Sequence, residues 1–266
     1  MDRIIKSTFS SLLIKLSDES LLEADVIPYS SPIPCFGNPL TSTFATLGIN
    51  PSNREFIDSN GVELTGQKRR FHTLSSLDIN SWEEARSTHI SKLISSCGNY
   101  FKRNPYDIWF NDLELILSRS NATYYGSDPN ACHLDLVPYA TSNKWSSLTN
   151  KQKNILLQHS GDTLANIVKA SPIKYLILNG TSVVKIFEQF TNTKFTKRIN
   201  TEWKLHRNNT SYVQGYSYTG EVDSISNTKL KKSITIFGFN HNIQSSFGVT
   251  KKVKSSISNW IMHQTN

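Results

Sequence analysis

Gly48-Ile49-Asn50-Pro51 closes an apolar run from Phe44 to Ile49. An Asn just off the carboxyl end of a buried strand faces the crevice where open α/β sheets bind ligands, although a strand followed by an Asn-Pro turn needs no function. Asp135 sits inside a second apolar run, His133-Leu134-Asp135-Leu136-Val137-Pro138, where a carboxylate is costly unless it is paired with a nearby Lys or Arg or is functional. A third run, Tyr175 to Leu178, passes through Asn179-Gly180-Thr181-Ser182 into a helix. A strand, a glycine and a hydroxyl-bearing helix N-terminus suit a phosphate contact, with Gly180 and Ser182 as candidates. The fourth run, Ser233 to Phe237, leads into Asn240-His241-Asn242-Ile243-Gln244. Lys68-Arg69-Arg70-Phe71-His72 sets a basic triplet against an aromatic and a histidine, a combination suited to a nucleic-acid groove as well as to a solvated face.

Elements of regular spacing must carry these residues. Ile4, Ile5, Phe9, Leu12, Leu13 and Leu16 recur at three- and four-residue intervals, predicting an amphipathic helix that serves packing. Four prolines between Pro28 and Pro39 predict an extended lead-in to the first strand. Ser81-Trp82-Glu83-Glu84 reads as a capping box ahead of a helix buried through Ile90, Leu93 and Ile94, and a second helix is expected over Tyr106 to Leu117. Thr149-Asn150-Lys151-Gln152 is another capping box, opening a helix through about Ala170, and a further helix is expected near Val183. Trp203 to Val222 alternates around Asn208-Asn209, predicting a hairpin in or beside the sheet. A last helix is expected from about Thr250, with Lys251, Lys252 and Lys254 in its first turns. Strands alternating with helices argue for a parallel sheet covered on both faces.

The 266 residues suffice for a full core and are read as one domain, with residues 1–40 as an N-terminal helix and extended lead-in. The apolar fraction of 37% is low, and the balance is Ser, Asn and Thr rather than charge, which predicts polar loops over a modest core. A net charge of +8 favours an anionic partner. Three scattered cysteines, Cys35, Cys97 and Cys132, support neither a zinc site nor an iron–sulfur cluster and point to a reducing compartment. Lys6 and Lys15 interrupt the first apolar stretch, no small-residue cleavage site follows it, and no apolar run is long enough to span a bilayer. The expectation is a cytoplasmic monomer without cofactor or metal.

Taken in order, the four segments resemble the uracil-DNA glycosylase superfamily over most of the chain, from Phe44 to the last helix. Gly48-Ile49-Asn50-Pro51 looks like the Gly-x-Asn-Pro form of its water-activating motif, as in the single-strand-selective branch. His133 to Pro138 resembles the strand that reads the flipped base, and Leu176 to Gly180 the strand and turn before a phosphate-contacting loop. His241 stands where the family carries a His-Pro-Ser motif and a wedge loop, though Asn242 replaces the proline. The resemblance implies a three-layer α/β/α sandwich around a mainly parallel four-stranded sheet.

It also implies a DNA glycosylase that flips out a base and hydrolyses its N-glycosidic bond without a cofactor. Asn50 would orient the water and His241 would donate a hydrogen bond to the departing base. Phe71, or in competition Phe56, would stack on that base. Ser52, Lys68, Arg69, Arg70, Gly180, Ser182, Lys251, Lys252 and Lys254 would meet the DNA backbone. Asn242, Ile243, Gln244 or Phe247 would supply the loop and wedge that fill the vacated stack. Asp135 departs from the Asn of the uracil readers: an ionised carboxylate only accepts hydrogen bonds, and the exocyclic amine of cytosine is a matching donor. The expected substrate is therefore a modified cytosine, such as the hydroxymethylated or glucosylated base of some phage genomes, and the expected role antiviral defence. The alternatives are a repair glycosylase for uracil or another deaminated base, and a catalytically silent nucleic-acid binding module. No Gly-x-Gly-x-x-Gly or Gly-Lys-Ser/Thr motif supports a nucleotide-binding protein.

Overall fold

Three five-residue segments, β2 (Phe44–Gly48), β3 (Ala131–Asp135) and β4 (Tyr175–Asn179), are buried almost throughout because they lie inside a sheet rather than on its rim. The computed structural model describes residues 3–103, 105–160, 162–207 and 211–265. Its sheet has seven strands in the order β1-β3-β2-β4-β7-β6-β5, where β1 is Cys35–Phe36, β5 Thr196–His206, β6 Tyr212–Ile225 and β7 Thr228–Phe239. Strands β3, β2, β4 and β7 run parallel to their neighbours, whereas β1 pairs antiparallel with β3, and β6 lies antiparallel between β7 and β5.

The expected sheet of four strands is thus a mixed sheet of seven. The proline-rich lead-in supplies the two-residue edge strand β1, paired through Cys35–Leu134 and Phe36–His133. The hairpin expected around Asn208-Asn209, which lie outside the described residues, joins the sheet as β5 and β6 instead of lying beside it. Strand β7 begins at Thr228, ahead of the expected Ser233, because its first half pairs with β6 while exposing one face.

The helices are α1 (Arg3–Lys15), α2 (Glu19–Glu23), α3 (Leu74–Leu77), α4 (Ser87–Gly98), α5 (Tyr100–Arg103), α6 (Asp107–Leu117), α7 (Asn150–Ser160), α8 (Thr163–Ala170), α9 (Thr181–Thr191) and α10 (Lys251–Thr265). Neighbouring residues of a strand point to opposite faces. On β7, Phe237 meets Trp260 of α10, while Gly238 lies beneath Val184 of α9, so helices cover both faces. Helix α1 buries Ile5, Phe9, Leu12 and Leu13 and packs on α4 and α8, as its spacing predicts. Thr149 and Gln152 form the expected cap, the Gln152 Oε1 accepting from the Thr149 N–H at 2.9 Å and the Thr149 hydroxyl from the Gln152 N–H at 3.3 Å. The helix they open ends at Ser160, and α8 resumes at Thr163. Ser81 makes no cap bond; it precedes a 3₁₀ turn over Trp82–Glu84, and α4 starts only at Ser87. Among the described residues no helix is long and apolar enough to cross a membrane.

Candidate active site

The parallel register aligns Gly48 with Asp135, Leu47 with Leu178, and Asn179 with Phe239. The carboxyl ends of four neighbouring strands therefore form one edge, with the Asp135, Asn50, Asn179 and His241 segments side by side along it. Beyond the ladder, Leu136 and Val137 still donate to the carbonyls of Gly48 and Ile49, so the ends of β2 and β3 stay together.

Asn50 is held by its amide nitrogen, which donates to Thr141 Oγ1 at 3.1 Å and lies 3.3 and 3.4 Å from the carbonyls of Pro51 and Tyr139. Carbonyl oxygens only accept, and the Thr141 hydroxyl spends its proton on the Asn143 carbonyl, so the nitrogen must be the atom facing them. The amide is thereby oriented and its Oδ1 is left as an acceptor.

Gly48 has a steric reason to be glycine. A Cβ there would stand 2.5 Å from Asp135 Oδ1 and 2.9 Å from His133 Nε2, so the two side chains lie directly across it. Asp135 is 3% exposed, and among the described residues its ion-pair partner is His133 at 3.5 Å rather than a Lys or Arg. His133 Nδ1 lies 2.7 Å from the Thr46 hydroxyl, which lies 2.5 Å from the Tyr124 hydroxyl. One proton arrangement satisfies all of them: Tyr124 donates to Thr46, Thr46 donates to His133 Nδ1, and His133 Nε2–H faces the carboxylate. Burial pushes the Asp135 carboxyl above its ordinary range, and the hydrogen bond and charge of His133 oppose the rise.

A second buried carboxylate adjoins the first. Glu55, 3% exposed, accepts the Tyr100 hydroxyl at 3.0 and 2.9 Å, and that hydroxyl in turn accepts from the Tyr106 N–H at 2.8 Å. Desolvation pushes Glu55 up to about 7, Arg70 and the Tyr100 bond oppose this, and the Asp135 charge adds to it. Aromatic rings surround the pair. Trp109 stands edge-on to His133 at 5.1 Å, and Phe71, 1% exposed, stacks on Tyr100 at 5.2 Å and meets the Phe36 edge at 5.4 Å. Phe56 is equally buried, 6.1 Å from Phe71, so both stacking candidates lie in one aromatic cluster.

The other half of the edge is knitted together. Asn179 Oδ1 accepts from the Ile243 N–H at 3.0 Å and its Nδ2 donates to Gln244 Oε1 at 2.7 Å. Gly180, at φ +102°, opens α9 with Asn242 packed where a side chain would begin, and the Thr181 N–H and hydroxyl both donate to the Asn240 carbonyl. Only Ser182 of that turn is exposed. His241 is 3% exposed and its Nε2 lies 2.6 Å from the Trp203 carbonyl; a carbonyl cannot donate, so the ring N–H points into β5. Burial and the nearby Arg207 hold its pKa below the usual value, leaving the ring neutral.

The remaining candidates divide by exposure. Ile243 is buried in the core and Gln244 is fastened to Asn179, while Asn242 Oδ1 caps its own turn through Gln244 and Ser245. Phe247 is 72% exposed, with the Arg207 guanidinium over its ring. Lys68, Lys251 and Lys252 are exposed, Lys254 pairs with Asp112, and Ser52 caps the turn at Asn53–Glu55. Arg70 donates to the Arg54 carbonyl and lies over the Tyr106 ring, and both residues line a cavity of about 400 Å³. Neither that cavity nor one of about 470 Å³ beside Arg69 is lined by Asn50, Asp135 or His241.

Sequence reasoning missed Glu55, His133, Thr46, Tyr124 and Asn179. The alternation of His133 and Asp135 along a strand could have paired them; the burial of Glu55 depends on Tyr100, 45 positions away. Among the described residues no group of three or more His, Cys, Asp or Glu is placed to hold a metal ion. No family model matches this sequence, and no curated protein matches it.

Proposed function

We propose that this protein is a monofunctional DNA glycosylase that flips out a modified cytosine and hydrolyses its N-glycosidic bond, leaving an abasic site, in antiviral defence. The observation that carries the reading is the register of β2 against β3, which pairs Gly48 with Asp135 two residues ahead of Asn50, with Gly48 small enough for the carboxylate to lie across it. The parallel order β3-β2-β4-β7 also supports it, because the four segments that resemble the uracil-DNA glycosylase motifs fall on four neighbouring strands.

Hydrolysis develops positive charge on the sugar and negative charge on the departing base. The Asn50 amide, anchored through its nitrogen, presents Oδ1 to a water. A neutral amide is no strong base, so its contribution is positioning. Ionised Asp135 accepts from the cytosine exocyclic amine, and protonated Glu55 donates to the neighbouring ring nitrogen, which an ionised Asp135 cannot do. His241, its N–H committed to Trp203, serves this reading as a clasp on the β7 end. Asp135 and Glu55 are buried, so a base reaches them only after the side chains around them move.

Alkaline strand-cleavage assays on duplexes carrying glucosylated or hydroxymethylated cytosine, or uracil, test the proposal. Cleavage at the modified cytosine is expected; cleavage at uracil alone would overturn the role of Asp135. The uracil reading has one observation in its favour, the burial that raises the Asp135 carboxyl. A protonated carboxyl both donates and accepts, as an Asn amide does. The pH dependence separates the two: activity carried by ionised Asp135 grows as pH rises through its titration, and activity carried by the neutral acid falls.

A further inference from the structure

Three cations converge on a second pocket that the proposed chemistry does not use. Arg69, Lys92 and Arg103 line a cavity of about 470 Å³ with Ser91, Ser95 and His72, and no carboxylate is among its lining residues. Among the described residues none of the three cations makes an ion pair with an acid. On α4, Ser95 lies four residues after Ser91 and three after Lys92, spacings that bring it beside both. The Ser95 hydroxyl accepts from Asn99 and keeps its own proton to donate, while Ser91 spends its proton on the Ser87 carbonyl.

His72 forms the buried wall, 8% exposed. Its Nδ1 lies 3.0 Å from Ser76 Oγ, and its Nε2 has no protein partner among the described residues, leaving it to the pocket. Burial, and after it the three cations, hold this histidine neutral, with a pKa pushed down to about 4. An anion seated among them would reverse that influence.

We propose that this pocket binds the diphosphate group of a small molecule. Three uncompensated cations exceed the single charge of one backbone phosphodiester and match the two to three charges of a diphosphate. The pocket is open to solvent, and its volume falls in the range of small-ligand sites. Two guanidinium forks and an ammonium are the groups that recognise phosphate oxygens. The site lies apart from the Asn50–Asp135 edge and does not depend on the glycosylase reading.

Calorimetric titration with inorganic pyrophosphate, inorganic sulfate and a short single-stranded oligonucleotide without terminal phosphates tests the proposal, alongside NMR titration of the His72 ring. Pyrophosphate is expected to bind at least about tenfold more tightly than sulfate and to lose roughly tenfold or more in the double variant Lys92→Gln/Arg103→Gln. Both replaced side chains are exposed, and an unchanged melting temperature verifies the fold. The His72 titration midpoint should rise on adding pyrophosphate. Equal binding of sulfate, pyrophosphate affinity unchanged in the double variant, or displacement of pyrophosphate by the oligonucleotide would each overturn the site.

Discussion

The two ends of the strand edge handle buried polar groups in opposite ways. At the β2–β3 end, two carboxylates sit together among aromatic rings, each raised by burial, with His133 and Tyr100 as their partners. At the β4–β7 end, Asn179, Asn240 and His241 give their polar atoms to backbone groups or, for the Asn179 Nδ2, to the Gln244 side chain, so the loops are locked. Groups held in costly environments are candidates for chemistry, whereas groups fully spent on backbone partners are candidates for architecture. His241, the residue the family resemblance puts in the chemistry, falls in the second class by geometry, and Glu55, which it leaves out, falls in the first.

Gly48→Ala should break the contrast most severely. Its Cβ would strike Asp135 and His133, and both activity and stability should fall, the latter by about 1–3 kcal/mol for overpacking, read by chemical denaturation. Asn50→Ala should lower turnover about 10²-fold with little change in DNA binding, since it removes positioning alone.

Glu55→Gln tests the strained half through stability. A carboxyl raised from 4.5 to about 7 favours the protonated folded state. Its contribution is complete below pH 4.5, declines as pH rises, and is gone above about 7, a change of about 3 kcal/mol. The variant should therefore flatten the loss of stability between pH 4.5 and 7, and it should move the alkaline limb of the activity profile, which loss of the Glu55 proton sets at about 7. Unaltered pH profiles would remove Glu55 from the account.

His241→Ala should cost about 1–3 kcal/mol by leaving the Trp203 carbonyl unpaired, while turnover per folded molecule stays within a few-fold of the parent. A turnover loss as large as that of Asn50→Ala would erase the distinction between the two ends. The smallest effect belongs to Phe247→Ala: an exposed ring whose removal should leave stability unchanged and weaken duplex binding a few-fold, read by fluorescence anisotropy.

What was legible in the sequence follows the same division. Apolar runs announced β2, β3 and β4, because burial on both sides of a central strand admits few polar residues, and three- and four-residue spacing announced the buried faces of α1 and α4. The hairpin strands were legible as a pair, but their place in the sheet is a tertiary outcome, set by pairing with β7. The Ser81 box failed because matching residue types do not guarantee a cap when a 3₁₀ turn competes locally. Asp135 was conspicuous as a charge in an apolar strand. Glu55 was not, because it sits in a polar loop segment, and only the fold brings Tyr100 and Asp135 to it.

The central claim, that Asn50 and Asp135 together excise a base, is tested most directly by mass spectrometry of the base released from DNA containing hydroxymethylated or glucosylated cytosine. Release of the modified cytosine by the parent protein, and its loss with Asn50→Ala while DNA binding persists, is the predicted result. DNA binding without release of any base, equal in the parent and in Asn50→Ala, would contradict it.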